Sequence, residues 1–206
     1  MIKIIIILLN LAQFSWALTV QERQILVDCH NMLRSAIAKE GAANMRTITY
    51  EPNFEGQAQF YANTIPKKGE EKARSEGYTW YKSYLTHNAT QLIVDACNDR
   101  YNHFNVHGIS PYDIASYPLY GGMYDDAVQM IWAKTSRVGC ATKKIWIPTE
   151  RKERSLLVCK YDVAIVEKEP IFIFGTGNNF EHYGQNQATS EIPIVQPLPG
   201  WSNPRG

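Results

Sequence analysis

Along this chain the period of the apolar residues changes once, and that change limits the fold more than any other feature. Up to about residue 135 apolar side chains recur at helical spacing; from 138 onward they gather in β-branched runs. Thr19 followed three residues later by Glu22 is a capping box, and Ile25, Leu26, Cys29, Leu33, Ala36 and Ile37 line one face of a long first helix until Gly41. A short extended piece over 47–50 leads to Pro52, and Phe54, Ala58, Tyr61 and Ala62 then mark a second helix expected to end before Pro66. Leu92, Ile93, Ala96, Cys97 and Tyr101 give a third helix that should stop before His103, where Gly and Pro interrupt the pattern. The charged stretch 67–77 reads as loop, and a short fourth helix is expected over 125–135. Strands follow over 138–147, 156–166 and 171–174, with a polar turn between the first two. Helices first and strands last around one core predict an α+β sandwich, a sheet with flanking helices.

The two ends of the chain differ from its middle. Lys3 precedes an unbroken apolar run from Ile4 to Leu9, and Ser15-Trp16-Ala17 sets small residues where a signal peptidase cuts, so residues 1–17 read as a secretory signal. The run is too short to span a bilayer, which takes roughly 20 apolar residues, and no later segment approaches that length. Residues 18–175 then form one domain, and 176–206, with Pro193, Pro197, Pro199 and Pro204, read as an extended proline-rich extension. The 21 basic and 20 acidic residues nearly cancel and form no basic stripe, which argues against nucleic acid as a partner.

Cys29, Cys97, Cys140 and Cys159 are an even set in an exported chain, which suggests disulfides, and no C-x-x-C spacing points to a metal knuckle. Counting does not give their pairing. Asn88-Ala89-Thr90 is a glycosylation acceptor triplet, which requires a surface position if it is used.

Val128-Gln129-Met130-Ile131-Trp132, with Thr135 and Val138-Gly139-Cys140-Ala141 after it, resembles the signature of the CAP superfamily of cysteine-rich secretory, antigen 5 and pathogenesis-related 1 proteins. Three further stretches resemble that family in the same order: His30-Asn31-Met32-Leu33-Arg34, Ala58-Gln59-Phe60-Tyr61-Ala62 and Leu156-Leu157-Val158-Cys159-Lys160-Tyr161. Within the family the look is of the venom allergen-like proteins of parasitic worms. The resemblance implies a three-layer α-β-α sandwich and a disulfide between Cys140 and Cys159. Cys29 and Cys97 are then left either to pair or to remain buried thiols.

Many CAP proteins hold a divalent metal in a central cleft with two His and two acidic residues. Matched to that pattern, this chain has Asp126 where the second His stands, no histidine near 65–68 for the first, and Tyr78 and Asp99 near the acidic positions. This degenerate cleft of Asp126, Tyr78 and Asp99 implies no metal, no cofactor and no enzyme, because zinc sites draw three or four ligands mostly from His and Cys. His103 and His107 stand four apart, a metal-binding spacing on a helix, but their Gly/Pro-rich surroundings predict loop. His30 reads as an interior histidine whose ring bonds the backbone and positions the first helix.

Lipid binding recurs in the family, and the resemblance carries two candidate sites. Tyr112, Tyr117 and Tyr120 match the spacing of a sterol-binding loop, and Leu26, Leu33, Val128 and Ile131 are candidate linings of a fatty-acid groove between the first and fourth helices. The expected ligands are sterols and long-chain fatty acids, bound outside the cell at a host-parasite boundary. An immunomodulatory module that binds a host protein and a secreted hydrolase are the competing readings.

Overall fold

The computed structural model describes residues 17–39, 41–68, 74–83, 85 and 87–175; the expected signal segment, apart from Ala17, and the expected proline-rich extension lie outside them. The first helix, α1 (Val20–Lys39), starts on the expected capping box: Glu22 Oε2 accepts from the Thr19 N–H at 2.8 Å, and Thr19 Oγ1 accepts from the Glu22 N–H at 3.2 Å. It ends at Gly41, whose φ of 107° turns the chain back so that the Ala42 N–H reaches the Ile37 carbonyl. Strand β1 (Thr49–Tyr50) and helix α2 (Pro52–Lys68) follow.

Helix α2 runs through Pro66 instead of stopping before it. Proline cannot donate to the carbonyl four residues earlier, that of Ala62, and the Lys143 ammonium donates to that carbonyl at 3.5 Å. Strand β2 (Tyr78–Lys82) was not expected, because its aromatic run is only five residues long. Helix α3 (Ala89–His107) continues well past Tyr101 and ends only at Gly108, whose N–H donates to Phe104 O. A short helix α4 (Pro111–Ala115), capped by Ser110, precedes α5 (Gly122–Ile131), which starts and stops about three residues earlier than its apolar pattern predicted.

Strands β3 (Arg137–Ile147) and β4 (Lys152–Tyr161) form the centre of a sheet of order β1-β3-β4-β2, with β1 parallel to β3 and the other pairs antiparallel. Residues 163–166 do not extend β4, because Asp162 turns to accept from the Ser136 and Arg137 N–H groups and Gln129 Oε1 takes the Ile165 N–H. The predicted strand over 171–174 also fails to form. Its backbone is shared between Ile114, Ala133, Ala43 and the Asn44 side chain, leaving one isolated bridge between Ala42 and Phe174.

Alternation along the strands separates the layers. Val138, Cys140, Leu157, Cys159 and Tyr161 pack with Leu26, Leu92, Ile93 and Ala96 of α1 and α3. Ala141, Leu156 and Val158 point the other way, onto Ala58, Tyr61 and Ala62 of α2. A further apolar cluster joins α1, α3 and α5 to residues 163–174. The result is the expected three-layer α+β sandwich. Both disulfides lie in it: Cys140–Cys159 between directly paired residues of β3 and β4, and Cys29–Cys97 between α1 and α3.

Candidate functional site

Of the residues matched to the metal-binding pattern, Asp126 lies on α5, Asp99 on α3 and Tyr78 at the start of β2, and among the described residues no contact brings the three together. Asp126 on α5 is buried and receives a 3.2 Å ion pair from Arg74 Nε, while the Arg74 guanidinium lies 4.2 Å over the Trp80 ring. Burial raises the Asp126 carboxyl to about 6, with the charges of Arg100 and Arg74 pulling it down, so at neutral pH it is an anion. Arg100 is itself buried on α3; its Nη1 donates to Ala96 O at 3.2 Å and its Nε has no partner.

Neither arginine was singled out from the sequence. Arg100 was legible in principle, since it continues the buried stripe Leu92, Ile93, Ala96 on α3, where a charge is out of place. Arg74 sits in a charged stretch with no periodicity to mark it.

Of the other two cleft candidates, Tyr78 stacks on Tyr61 at 4.4 Å under the Lys160 ammonium, and Asp99 acts electrostatically on His103. A site with one carboxylate between two guanidinium groups does not fit a divalent cation, whose ligands must outweigh the charge they bring. Among the described residues no three His, Cys, Asp or Glu converge as a metal site.

On α1, His30 Nδ1 lies 2.7 Å from Leu26 O and Nε2 lies 2.8 Å from Tyr161 Oη. A carbonyl only accepts, so Nδ1 carries the proton and Nε2 accepts from the tyrosine. Burial holds His30 down to about 3 and pushes Tyr161 up to about 12. His30 is thus a neutral pin between helix and sheet, as its sequence context suggested.

The tyrosines of the candidate sterol loop divide. Tyr117 is fully buried and donates to Asp125 Oδ1 at 2.6 Å, and Asp125 also accepts from the Tyr120 and Gly121 N–H groups. Tyr112 and Tyr120 are 86% and 60% exposed, beside Met123 at 62%. Tyr120 donates to Asp113 and meets Tyr117 at 5.9 Å and Tyr124 at 5.3 Å, both edge-on. Asp125, missed from sequence, therefore shapes this loop.

Leu26, Leu33, Val128 and Ile131 are all buried in the core, at 3% exposure or less. The open depression beside α1 has other walls: Val20, Arg23, Val27, Ile48, Tyr50 and Pro52 line about 670 Å³ between α1 and β1. Helical periodicity gave the buried face correctly but not the exposed seam next to it. Asn88 is exposed and caps α3 by accepting from the Gln91 N–H with its carbonyl oxygen, not with the nitrogen that carries a glycan.

Residues 27–161 match the model of the cysteine-rich secretory protein family. Scoloptoxin SSD976 of Scolopendra dehaani is 27% identical over 150 residues, 68% of this chain and 67% of that protein. Peptidase inhibitor 16 of Bos taurus is 24% identical over 149 residues; the match takes in 71% of this chain but only 30% of the bovine protein. Among solved structures, the hookworm platelet inhibitor superposes with a TM-score of 0.62 at 21% identity, covering 80% of this chain and 82% of that one. The family match spans well over half of the sequence, and the fold, disulfides and motif residues agree with it: the chain belongs to the CAP family of cysteine-rich secretory proteins.

Proposed function

We propose that this chain is a secreted, non-enzymatic lipid-binding CAP protein that takes up sterols and long-chain fatty acids. The observation that carries the reading is the segment 112–123, from the first turn of α4 through the connection into the first turn of α5. It exposes Tyr112, Leu119, Tyr120 and Met123 to solvent while Asp125 and buried Tyr117 hold its backbone in place. Large apolar side chains close together in sequence on a fixed backbone are candidates for ligand contact. Aromatic faces with polar rims suit a flat sterol carrying one hydroxyl.

The cleft between α1 and β1 supports the second ligand class. Its volume falls in the range of about 300–1,000 Å³ typical of small-molecule sites, and Val20, Val27, Ile48 and Pro52 supply apolar contact. An acyl chain gains about 0.8 kcal/mol per buried methylene, enough for micromolar binding after ordering costs. Arg23 also lines that cleft, with its charge already met by Glu55 at 2.8 Å. Asp126, ion-paired and buried, is not presented to a substrate, which favours binding over hydrolysis. Export also suits the two disulfides, and a glycan at Asn88 would leave its helix cap intact.

The test is competition binding of radiolabelled cholesterol and palmitate to secreted, delipidated protein, with mass spectrometry of lipids that copurify. Tyr112→Ser, at a side chain 86% exposed, should weaken sterol binding roughly tenfold while leaving the melting temperature unchanged. Val27→Asp should remove fatty-acid binding and spare the sterol. If neither lipid is retained above a control protein the reading fails, though family membership stands. A saturable complex with a host protein that survives delipidation would replace it with the immunomodulatory reading.

A further inference from the structure

Helix α3 continues through His103 and His107, so two imidazoles that the sequence assigned to a loop stand one turn apart on one helical face. Their ring centres are 4.7 Å apart and tilted by 48°. A single ion can bridge that separation with nitrogen–metal bonds of about 2.0–2.1 Å. The Tyr124 ring meets His103 edge-on at 5.0 Å and fixes its orientation, and Tyr124 Oη in turn donates to Gly108 O at 3.4 Å. His103 Nε2 is buried and has no hydrogen-bond partner. Asp99 lies one turn earlier on the same helix.

A histidine in the last turn of a helix has an ordinary role, offsetting the negative end of the helix dipole. One imidazole near the end is enough for that. It does not account for a second ring packed against the first.

We propose that His103 and His107 form a binding site for a divalent transition-metal ion, separate from the Asp126 cleft, with Cu2+ held more tightly than Zn2+. The preference follows from imidazole donors and the general order of divalent ion affinities. Only two protein ligands are present, and no third His, Cys, Asp or Glu among the described residues completes a metal cluster. Water fills the remaining positions, so the ion exchanges and is not a structural centre. The site does not depend on lipid binding.

Calorimetric titration of tag-free, disulfide-intact full-length protein with CuCl2 and with ZnCl2 tests this, together with electron paramagnetic resonance of the copper form. One Cu2+ per chain with coupling to two nitrogens is expected. His107→Ala removes an exposed side chain without disturbing the core and should cost at least about tenfold in Cu2+ affinity. The double variant Asn105→His/His107→Ala keeps the number of histidines but moves one off the shared face, and should bind as weakly as His107→Ala. His87→Ala should bind like the unaltered protein. Affinity unchanged in His107→Ala, full binding by the displaced-histidine variant, or no stoichiometric Cu2+ binding at all would each overturn the proposal.

Discussion

Arg34 carries its charge into the centre of the molecule and is held there by carbonyl oxygens. Its guanidinium donates to Arg46 O at 2.6 Å, Met130 O at 2.9 Å, Trp132 O at 3.1 Å and Thr135 O at 2.9 Å, joining α1 to the end of α5. Burial lowers its pKa to about 9, so it stays protonated at neutral pH. Arg34→Met would leave those carbonyls without a donor, and urea denaturation should show a loss of about 3–5 kcal/mol. His30 gives a pH-dependent prediction. The unfolded chain protonates it near 6.5 and the folded chain only near 3, so stability falls as pH drops below 6.5, by up to about 1.4 kcal/mol per unit. Asp126 acts in the opposite direction: its folded value near 6 lies above the ordinary 3.8, so the folded state gains as pH falls through 6. Denaturation midpoints from pH 4 to 7 should therefore fall more steeply for Asp126→Asn than for the parent, and His30→Gln should lose the acid-side decline.

Gly139 shows how closely an element can be fitted to its neighbour. A Cβ there would lie 2.5 Å from Glu51 O and 2.6 Å from Phe54 Cβ, so the first turn of α2 rests directly on β3. Gly139→Ala should cost about 1–3 kcal/mol, read from the thermal midpoint, because the contact is backbone and cannot yield. Elements with a long, regular pattern were legible in the sequence: α1 with its capping box, β3, and the apolar middle of β4, which begins at Lys152 inside the expected polar turn. Those set by tertiary partners were not. α2 passes Pro66 with Lys143 at the vacant carbonyl, and the chain after β4 leaves the sheet for Gln129 and Asp162, which no local pattern announces. The site shows the same division. Its loss of histidines could be read directly, whereas Arg74, Arg100 and Asp125 could be placed only once distant segments had been brought together.

At the scale of the whole molecule, the family signature residues prove to be the joints between layers. Asn31 exchanges two hydrogen bonds with the Ile48 backbone, at 2.9 and 2.7 Å, and Gln129 ties α5 to Val163 and Ile165. The covalent links reinforce the same side. Closing the 68-residue separation between Cys29 and Cys97 should contribute about 4 kcal/mol through the unfolded state, against about 3 kcal/mol for the 19-residue separation of Cys140 and Cys159. Paired Cys→Ala variants compared in urea should therefore rank in that order.

Both sulfur bridges belong to the strands and to the helices on one side of them, and α2 on the other side has none. In native-state hydrogen exchange α2 should exchange by sub-global opening at a free energy below that of the remaining body. A limited protease should nick there first, releasing an outer flap from a sulfur-stapled remainder that still holds its shape.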